Sequence, residues 1–205
     1  MKQSSNITYK VFLVVLLLCV YSPIFSQTDS ILLQINETHL QFKKSGMQVL
    51  GGWALSNIAI SGIMLTQTRG VNYRFHEMNV FWNIVNLGIA GLGYYDAQNT
   101  SAEGIGLIET LSDHQDFGKI LLLNAGLDVG YVMSGLYLRE RSKQVSKFSN
   151  RLKGYGNSII LQGSFLLVFD IVLYSINQNK LSIWLEQHNF DVQISPASVS
   201  LSMNF

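Results

Sequence analysis

The sequence predicts an all-α membrane protein, in which a bundle of four transmembrane helices follows a cleavable signal peptide and precedes a short extracytoplasmic β-hairpin. Three observations carry this prediction. Charged residues make up only 13% of the 205 residues, about half of the roughly 25% in soluble domains. Long apolar windows recur along the chain, and basic and acidic residues are segregated between the loops that connect them.

Composition also excludes several classes of protein. The formal net charge of +1 provides no global field for binding nucleic acid. The single cysteine, Cys19, excludes a disulfide scaffold, a cysteine-ligated zinc site and an iron–sulfur cluster. We therefore expect no nucleic-acid partner, no metal and no cofactor.

The N-terminal segment has the pattern of a secretory signal peptide. Lys2 and Lys10 precede an apolar run of ten residues, VFLVVLLLCV, and the helix breaker Pro23 and the small residue Ser26 follow it. The pattern predicts cleavage after residue 26. The alternative is that this segment is kept as an additional first span.

Four windows beyond residue 26 are long enough to cross about 30 Å of hydrocarbon, which needs about 20 helical residues. The predicted spans are residues 47–66, 79–97, 119–138 and 157–176. Runs such as Phe165–Phe169 are apolar on consecutive residues, which favours helices over alternating strands. Residues 27–46 and 177–205 are predicted to be extracytoplasmic, the first as a short surface helix or an irregular tether.

Charge placement predicts the orientation. The loop before the fourth span contains six basic residues and one acid, the basic ones being Arg139, Arg141, Lys143, Lys147, Arg151 and Lys153. The loop over residues 98–118 contains four acids and no lysine or arginine. The positive-inside rule places the basic loop in the cytoplasm and both mature termini outside. The predicted location is a bacterial inner membrane.

The C-terminal tail changes to a period of two. Phe190, Val192 and Ile194 alternate with polar residues, a turn follows, and alternation resumes from Val199 to Phe205. This pattern predicts a β-hairpin. A terminal strand that ends in phenylalanine also resembles the closing strand of outer-membrane barrels, so a β-barrel is a lesser alternative. It would need alternating segments of about ten residues throughout.

Polar residues near the middle of the spans form a candidate intramembrane site. Its predicted members are Asn57, Asn83, Asn86, Asn124, Asp128 and Asp170. A charged residue at mid-bilayer costs about 2.5–3.5 kcal/mol on insertion scales, and apart from Lys119 at the first position of the third span no lysine or arginine lies inside any span. The two aspartates are therefore expected to face the interior of the bundle.

Small residues are predicted to form ridges where helices pack closely. Gly126, Gly130 and Ser134 recur every four residues on the third span, and Gly52 and Ser56 do so on the first. Such ridges let helix backbones approach in lipid.

The sequence offers two functional interpretations. Asparagines and protonated aspartates can hold helices together, which suggests a structural or interaction component of the cell envelope that binds an envelope protein or a second copy. Alternatively, Asp128 and Asp170 form the proton- or cation-binding site of a small transporter or channel unit. Because no phosphate loop, dinucleotide fingerprint or nucleophile elbow is present, we expect no enzyme. The histidines outside the spans, among them His39, His114 and His188, have no metal-ligand spacing.

Four stretches carry a resemblance to a known kind of protein. They are GGWALSNIAISG from Gly51, FHEMNVFWNIVNLGIAGLGYY from Phe75, NAGLDVGYVMSGLYL from Asn124 and RLKGYGNSIILQGSFLLVFD from Arg151. In these stretches the chain resembles a family of short, uncharacterised bacterial membrane proteins of unknown function. The resemblance implies a helical, multi-span architecture and no established activity.

Overall fold

Four long helices and one small β-hairpin make up the fold. The computed structural model describes the backbone of residues 4–187, 190–195 and 198–203, and the side chains of residues 30–187. The elements are α1 (Ser4–Gln67), α2 (Gly70–Asn99), α3 (Leu107–Arg141), α4 (Ser149–Gln187), β1 (Phe190–Ser195) and β2 (Ser198–Met203). Residues 4–187 are helical apart from short connections, so the barrel alternative is wrong for this part of the chain.

Short connections make successive helices antiparallel. Gly70, at the start of α2, has φ of 61° and Gly104, between α2 and α3, has φ of 76°. Residues with a Cβ adopt this left-handed conformation only with strain, so glycine is suited to both turns. Within the bundle α1 packs on α2, α2 on α4 and α4 on α3, and α1 reaches α3 at only a few positions.

The buried face of α3 follows a spacing of three and four residues. Its members are Leu111, His114, Gly118, Leu121, Ala125, Asp128 and Gly135. This is the heptad spacing by which helices pack around a shared interior at a small crossing angle. The aspartate and the histidine therefore occupy positions that apolar side chains fill in a soluble bundle.

The distribution of polarity is inverted relative to a soluble protein. Among residues 30–187, 14 polar or charged residues are buried against 11 hydrophobic ones, whereas 28 large hydrophobic residues are exposed. Exposed apolar surface on this scale is stable only against another apolar phase. The exterior of the bundle therefore matches lipid, and the interior is polar.

Within residues 30–187, three helices are long and apolar enough to cross a membrane, namely Ser30–Gln67 within α1, α3 and α4. By the same measure α2 does not qualify. Its hydropathy is lowered by Asn79, Asn83 and Asn86, all of which are buried, while Phe81 is 69% exposed and Leu92 is 74% exposed. The outward face of α2 is thus as apolar as those of its neighbours.

The helices extend beyond the predicted spans. Residues 27–46 are continuous with the first span in α1, and residues 107–118, predicted as part of a loop, form the first turns of α3. The helical part of α1 from residue 30 measures about 57 Å at 1.5 Å per residue, well beyond about 30 Å of hydrocarbon. Hydropathy falls at the predicted boundaries, but helix packing continues past them.

The structure describes the backbone of the two C-terminal strands and of most of the predicted signal peptide. β1 and β2 pair antiparallel, with Phe190 opposite Met203 and Ser195 opposite Ser198, and the turn at 196–197 lies outside the described residues. Helix α1 begins at Ser4 and so includes most of the proposed signal peptide. Cleavage after residue 26, and the extracytoplasmic position of the hairpin, stay predictions.

Candidate functional site

Asp128 of α3 and Asp170 of α4 face each other inside the bundle. Asp128 is 3% exposed and Asp170 is 6% exposed, and both side chains line one cavity. The prediction that both acids face the interior of the bundle is confirmed.

A cavity of about 560 Å³ adjoins the aspartate pair. Asn86 of α2 and Asn124 of α3 lie on its wall with the two acids, and the rest of the wall is mainly apolar and aromatic. The Oδ2 atom of Asp128 and the Nδ2 atom of Asn86 are buried there without a hydrogen-bond partner. Buried polar atoms are usually satisfied by protein or water. The Asp128 oxygen can therefore accept a proton or a hydrogen bond, and the Asn86 amide nitrogen can donate one.

The remaining asparagines belong to a second, separate cluster nearer the basic end of the bundle. Asn79 donates through Nδ2 to Asn57 Oδ1 at 2.9 Å and to Ser61 Oγ at 2.8 Å. Gln162 of α4 donates through Nε2 to Asn79 Oδ1, and Trp53 donates through Nε1 to Gln162 Oε1 at 2.9 Å. This amide network joins α1, α2 and α4.

The predicted polar site is thus divided between two places. Asn86, Asn124 and the two aspartates line one cavity, whereas Asn57 belongs to the amide network. Asn83 is fully buried and donates through Nδ2 to the backbone oxygen of Asn79, so it supports the network rather than the acids. The sequence prediction placed all six residues together because equal depth does not specify which pair of helices a side chain lies between.

The predicted packing ridges are wrong for contacts within this chain. Gly126, Gly130 and Ser134, and likewise Gly52 and Ser56, are exposed. A Cβ added at any of the three glycines would find no atom within 4 Å. The physical reason is that α3 turns its aspartate side to its neighbours, and the ridge lies on the other side of the helix.

Close packing instead uses glycines that the sequence prediction missed. A Cβ at Gly156 would lie 2.6 Å from the backbone oxygen of Gly135, and one at Gly135 would lie 2.7 Å from that of Gly156. A Cβ at Gly154 would lie 2.5 Å from the backbone oxygen of Val71 on α2. The signal was present in the spacing, because Gly135 follows Asp128 by seven residues and so shares its face.

A third polar cluster lies at the opposite end, outside the predicted spans. Lys43 Nζ lies 2.8 Å from the carboxylate of Asp113, and His39 Nε2 lies 3.3 Å from it. The rings of His39 and His114 stack with centroids 3.7 Å apart, and His114 Nδ1 lies 3.2 Å from Asn177 Oδ1. Lys43, which conflicts with the positive-inside rule, is therefore paired with an acid.

The electrostatics of this third cluster follow from burial and pairing. The contact with His39, opposed by burial and aided by Lys43, holds the pKa of Asp113 well below its usual range. Burial, with the nearby His39, lowers the pKa of His114 to about 4. Within the part of the chain that the structure describes, no group of three or more His, Cys, Asp or Glu residues could hold a metal ion. The contacts of this cluster join α1, α3 and α4.

Comparison with known proteins gives one finding. No curated protein and no solved structure matches the chain. The model of DUF6992, a family of unknown function, matches residues 49–171, more than half of the chain and a range that includes both buried aspartates. The resemblance to an uncharacterised family is confirmed, and the chain belongs to DUF6992.

Proposed function

We propose that this protein is a small membrane protein that binds a proton or a cation at the Asp128–Asp170 pair, as part of a proton- or cation-coupled transport unit. The observation that carries the proposal is that two buried carboxyl groups, one on α3 and one on α4, line the same cavity. Carboxyl groups on opposite sides of the bundle would have removed this site. Their pairing favours the transport unit over a purely structural envelope component.

The charge balance around the pair supports a site that takes up positive charge. Among the described residues, none of the ion pairs within 4 Å involves Asp128 or Asp170. Buried charges in proteins are paired, neutralised by a proton or bound to a metal ion. Since the protein itself supplies no counter-charge, a proton or a cation from outside must do so.

The cavity gives the pair access to such a charge. The amide dipoles of Asn86 and Asn124 lie on the same wall as the carboxyl groups, and amide oxygens are suitable cation ligands. The proposal involves binding and release of a charge and no covalent step, so the protein is proposed not to be an enzyme.

The proposed setting is a bacterial inner membrane with α2 as the fourth span. The polar residues of α2 are buried and its exposed face is apolar, which supports insertion in spite of its low hydropathy. The basic connection between α3 and α4 supports a cytoplasmic position for that end. Four helices enclose a narrow interior, so we propose that a complete translocation path uses more than one copy.

The experiment measures proton movement into liposomes. The purified protein is reconstituted in vesicles that contain a pH-sensitive dye, and a potassium gradient with valinomycin provides the driving force. We expect the wild type to acidify the vesicles, and Asp128→Asn and Asp170→Asn to lose this activity. Asp96→Asn is the matched control, because it makes the same chemical change at an exposed position near the end of α2.

A second measurement tests the protonated carboxyl directly. Dicyclohexylcarbodiimide reacts with protonated carboxyl groups in apolar surroundings, and mass spectrometry of peptides locates the adduct. We expect labelling at Asp128 or Asp170 in the wild type and none at Asp96. Absence of both labelling and ion movement in a folded wild-type protein would overturn the proposal and leave the aspartates as helix-to-helix contacts.

A further inference from the structure

A second cavity lies at the basic end of the bundle, away from the aspartate pair. It has a volume of about 530 Å³ and lies between the start of α2 and the connection that leads into α4. Four basic side chains line it, namely Arg69, Arg74, Lys147 and Arg151. Arg69 and Arg74 lie around the start of α2, and Lys147 and Arg151 lie around the start of α4, more than seventy positions later in the sequence.

The fold holds the two sides of this cavity together. Gly154 of α4 lies so close to α2 that a Cβ there would be 2.6 Å from Cβ of Arg74. Gly70 lies beside Asn150, whose Nδ2 would be 3.7 Å from a Cβ at that glycine. The left-handed φ of Gly70 turns the chain directly before α2, which leaves Arg69 at the rim. The position of the basic side chains is therefore fixed by backbone packing.

Most of the positive charge in this cavity is not neutralised. Arg74 donates to both carboxylate oxygens of Glu77, at 2.8 and 3.0 Å, and Tyr155 donates to the same carboxylate. Within residues 30–187, no carboxylate lies within 4 Å of Arg69, Lys147 or Arg151. Glu77 thus pairs with Arg74 and also attracts Arg151, which lies over the Tyr155 ring. Four basic residues against this one acid leave net positive charge for an anionic ligand.

The backbone adds to this preference for an anion. α2 starts at Gly70, and its N-cap residue Arg69 makes no side-chain hydrogen bond to the free backbone N–H groups. A helix start carries partial positive charge and bare donors, which suit phosphate oxygens. Arginine and lysine side chains provide the charge-assisted hydrogen bonds by which phosphate is held.

We propose that this cavity is a phosphate-binding site that takes the phosphate group of an anionic lipid headgroup or of a small phosphorylated molecule. Phe148, 51% exposed beside Lys147, is placed to contact acyl chains at the interface when the phosphate belongs to a lipid. The six basic residues between the third and fourth predicted spans also serve as an orientation signal. The phosphate site differs from that signal because it combines two of them, Lys147 and Arg151, with Arg69 and Arg74 around the start of α2.

The experiment compares two variants that lose equal charge. The first replaces the cavity residues, R69Q/K147Q/R151Q, and the control replaces exposed basic residues outside the cavity, R141Q/K143Q/K153Q. Binding of phosphatidylglycerol and of phosphatidylcholine is measured by native mass spectrometry in detergent. We expect the wild type to prefer phosphatidylglycerol, the cavity variant to bind it at least tenfold more weakly, and the control to change less than twofold. Thermal unfolding without lipid checks that both variants fold.

A separate arm identifies the source of the phosphate. Acetylation of Lys147 is followed by peptide mass spectrometry in the presence of inorganic phosphate, with Lys143 as the internal reference. Protection of Lys147 by inorganic phosphate alone supports a soluble phosphorylated ligand, and protection only by phosphatidylglycerol supports a lipid. Equal loss of lipid binding in both variants, or no selective binding and no protection in the wild type, would overturn the site.

Discussion

The contact between Gly135 and Gly156 predicts a large difference between two chemically identical substitutions. Gly156→Ala places a methyl group 2.6 Å from the backbone oxygen of Gly135 and 3.1 Å from the backbone nitrogen of Arg139. Backbone atoms of a helix cannot rotate away as a side chain can. α3 and α4 must therefore separate by several tenths of an ångström along this part of their contact.

The magnitude follows from two opposing effects. Overpacking of a well-packed contact costs about 1–3 kcal/mol. Replacement of glycine by alanine inside a helix returns about 0.8–1.0 kcal/mol. We therefore expect Gly156→Ala to lower the free energy of unfolding by about 0–2 kcal/mol. Gly126→Ala is the matched control on α3, because no atom lies within 4 Å of its Cβ position, and it should be neutral or slightly stabilising.

The assay is unfolding in mixed micelles by increasing fractions of sodium dodecyl sulfate, followed by tryptophan fluorescence. The comparison of the two variants removes the effect of helix propensity, since both make the same replacement in a helix. The difference of about 2 kcal/mol corresponds to roughly a 30-fold change in the unfolding equilibrium. Equal effects of the two substitutions would refute the close contact of α3 and α4 at Gly156.

Two further predictions concern the polar clusters. Gln162→Leu leaves the Trp53 indole N–H without a partner and the Asn79 side-chain oxygen with the long 3.5 Å bond from Asn83 Nδ2. We therefore expect a loss of about 1–3 kcal/mol in the same assay, against less than about 0.5 kcal/mol for the exposed control Ser175→Ala. His114 has a pKa lowered from 6.5 to about 4 in the folded protein, so the unfolded chain binds more protons between these values. We therefore expect the melting temperature to fall as the pH falls from 6.5 to 4. His114→Gln should make this fall smaller. An unchanged dependence of the melting temperature on pH would contradict the burial of His114.

The sequence predicts the helical class and the inward direction of the aspartates for a simple physical reason. An ionisable group that faces lipid costs several kcal/mol, so its direction can be stated before any packing is known. Asp128 and Asp170 are buried as expected. The same reasoning cannot separate Asn57 from the acids. An asparagine side chain avoids lipid equally well at the contact with any of three neighbouring helices, so only the helix packing decides which helix it contacts.

A glycine spacing motif is weaker evidence for a helix-to-helix contact than a glycine's position on the same helix face as a buried residue. Gly126 and Asp128 are about 200° apart around α3 at 100° per residue, so they cannot both face the same neighbour. Polar burial decides the direction, and the glycine ridge then points outward. Gly156, Gly163 and Asp170 recur every seven residues on α4, which places them on one face. Position relative to an obligatorily buried residue would have identified the contacts.

The cluster at His39 and Asp113 was missed because hydropathy marks the hydrocarbon and not the end of a helix. Its residues lie in segments predicted to be a surface helix and a loop. No single member has a diagnostic spacing in the sequence. Its partners come from three helices, and only their continuation past the predicted spans brings His39, Asp113 and Asn177 together.

The two polar clusters inside the predicted spans differ in a way that bears on function. Hydrogen bonds of the amide network join side chains of α1, α2 and α4, while the buried Oδ1 of Asn83 beside it has no partner. The aspartate pair has an unpartnered oxygen and an adjoining cavity, so its bonding depends on what else is bound. A Cβ at Gly163 would lie 3.2 Å from the backbone oxygen of Asp128, which places the pair beside a close approach of α3 and α4. On the proposal that the pair holds one proton, loss of that proton would set two negative charges against each other there, and we expect the repulsion to separate α3 from α4 while the amide network keeps α4 on α1 and α2.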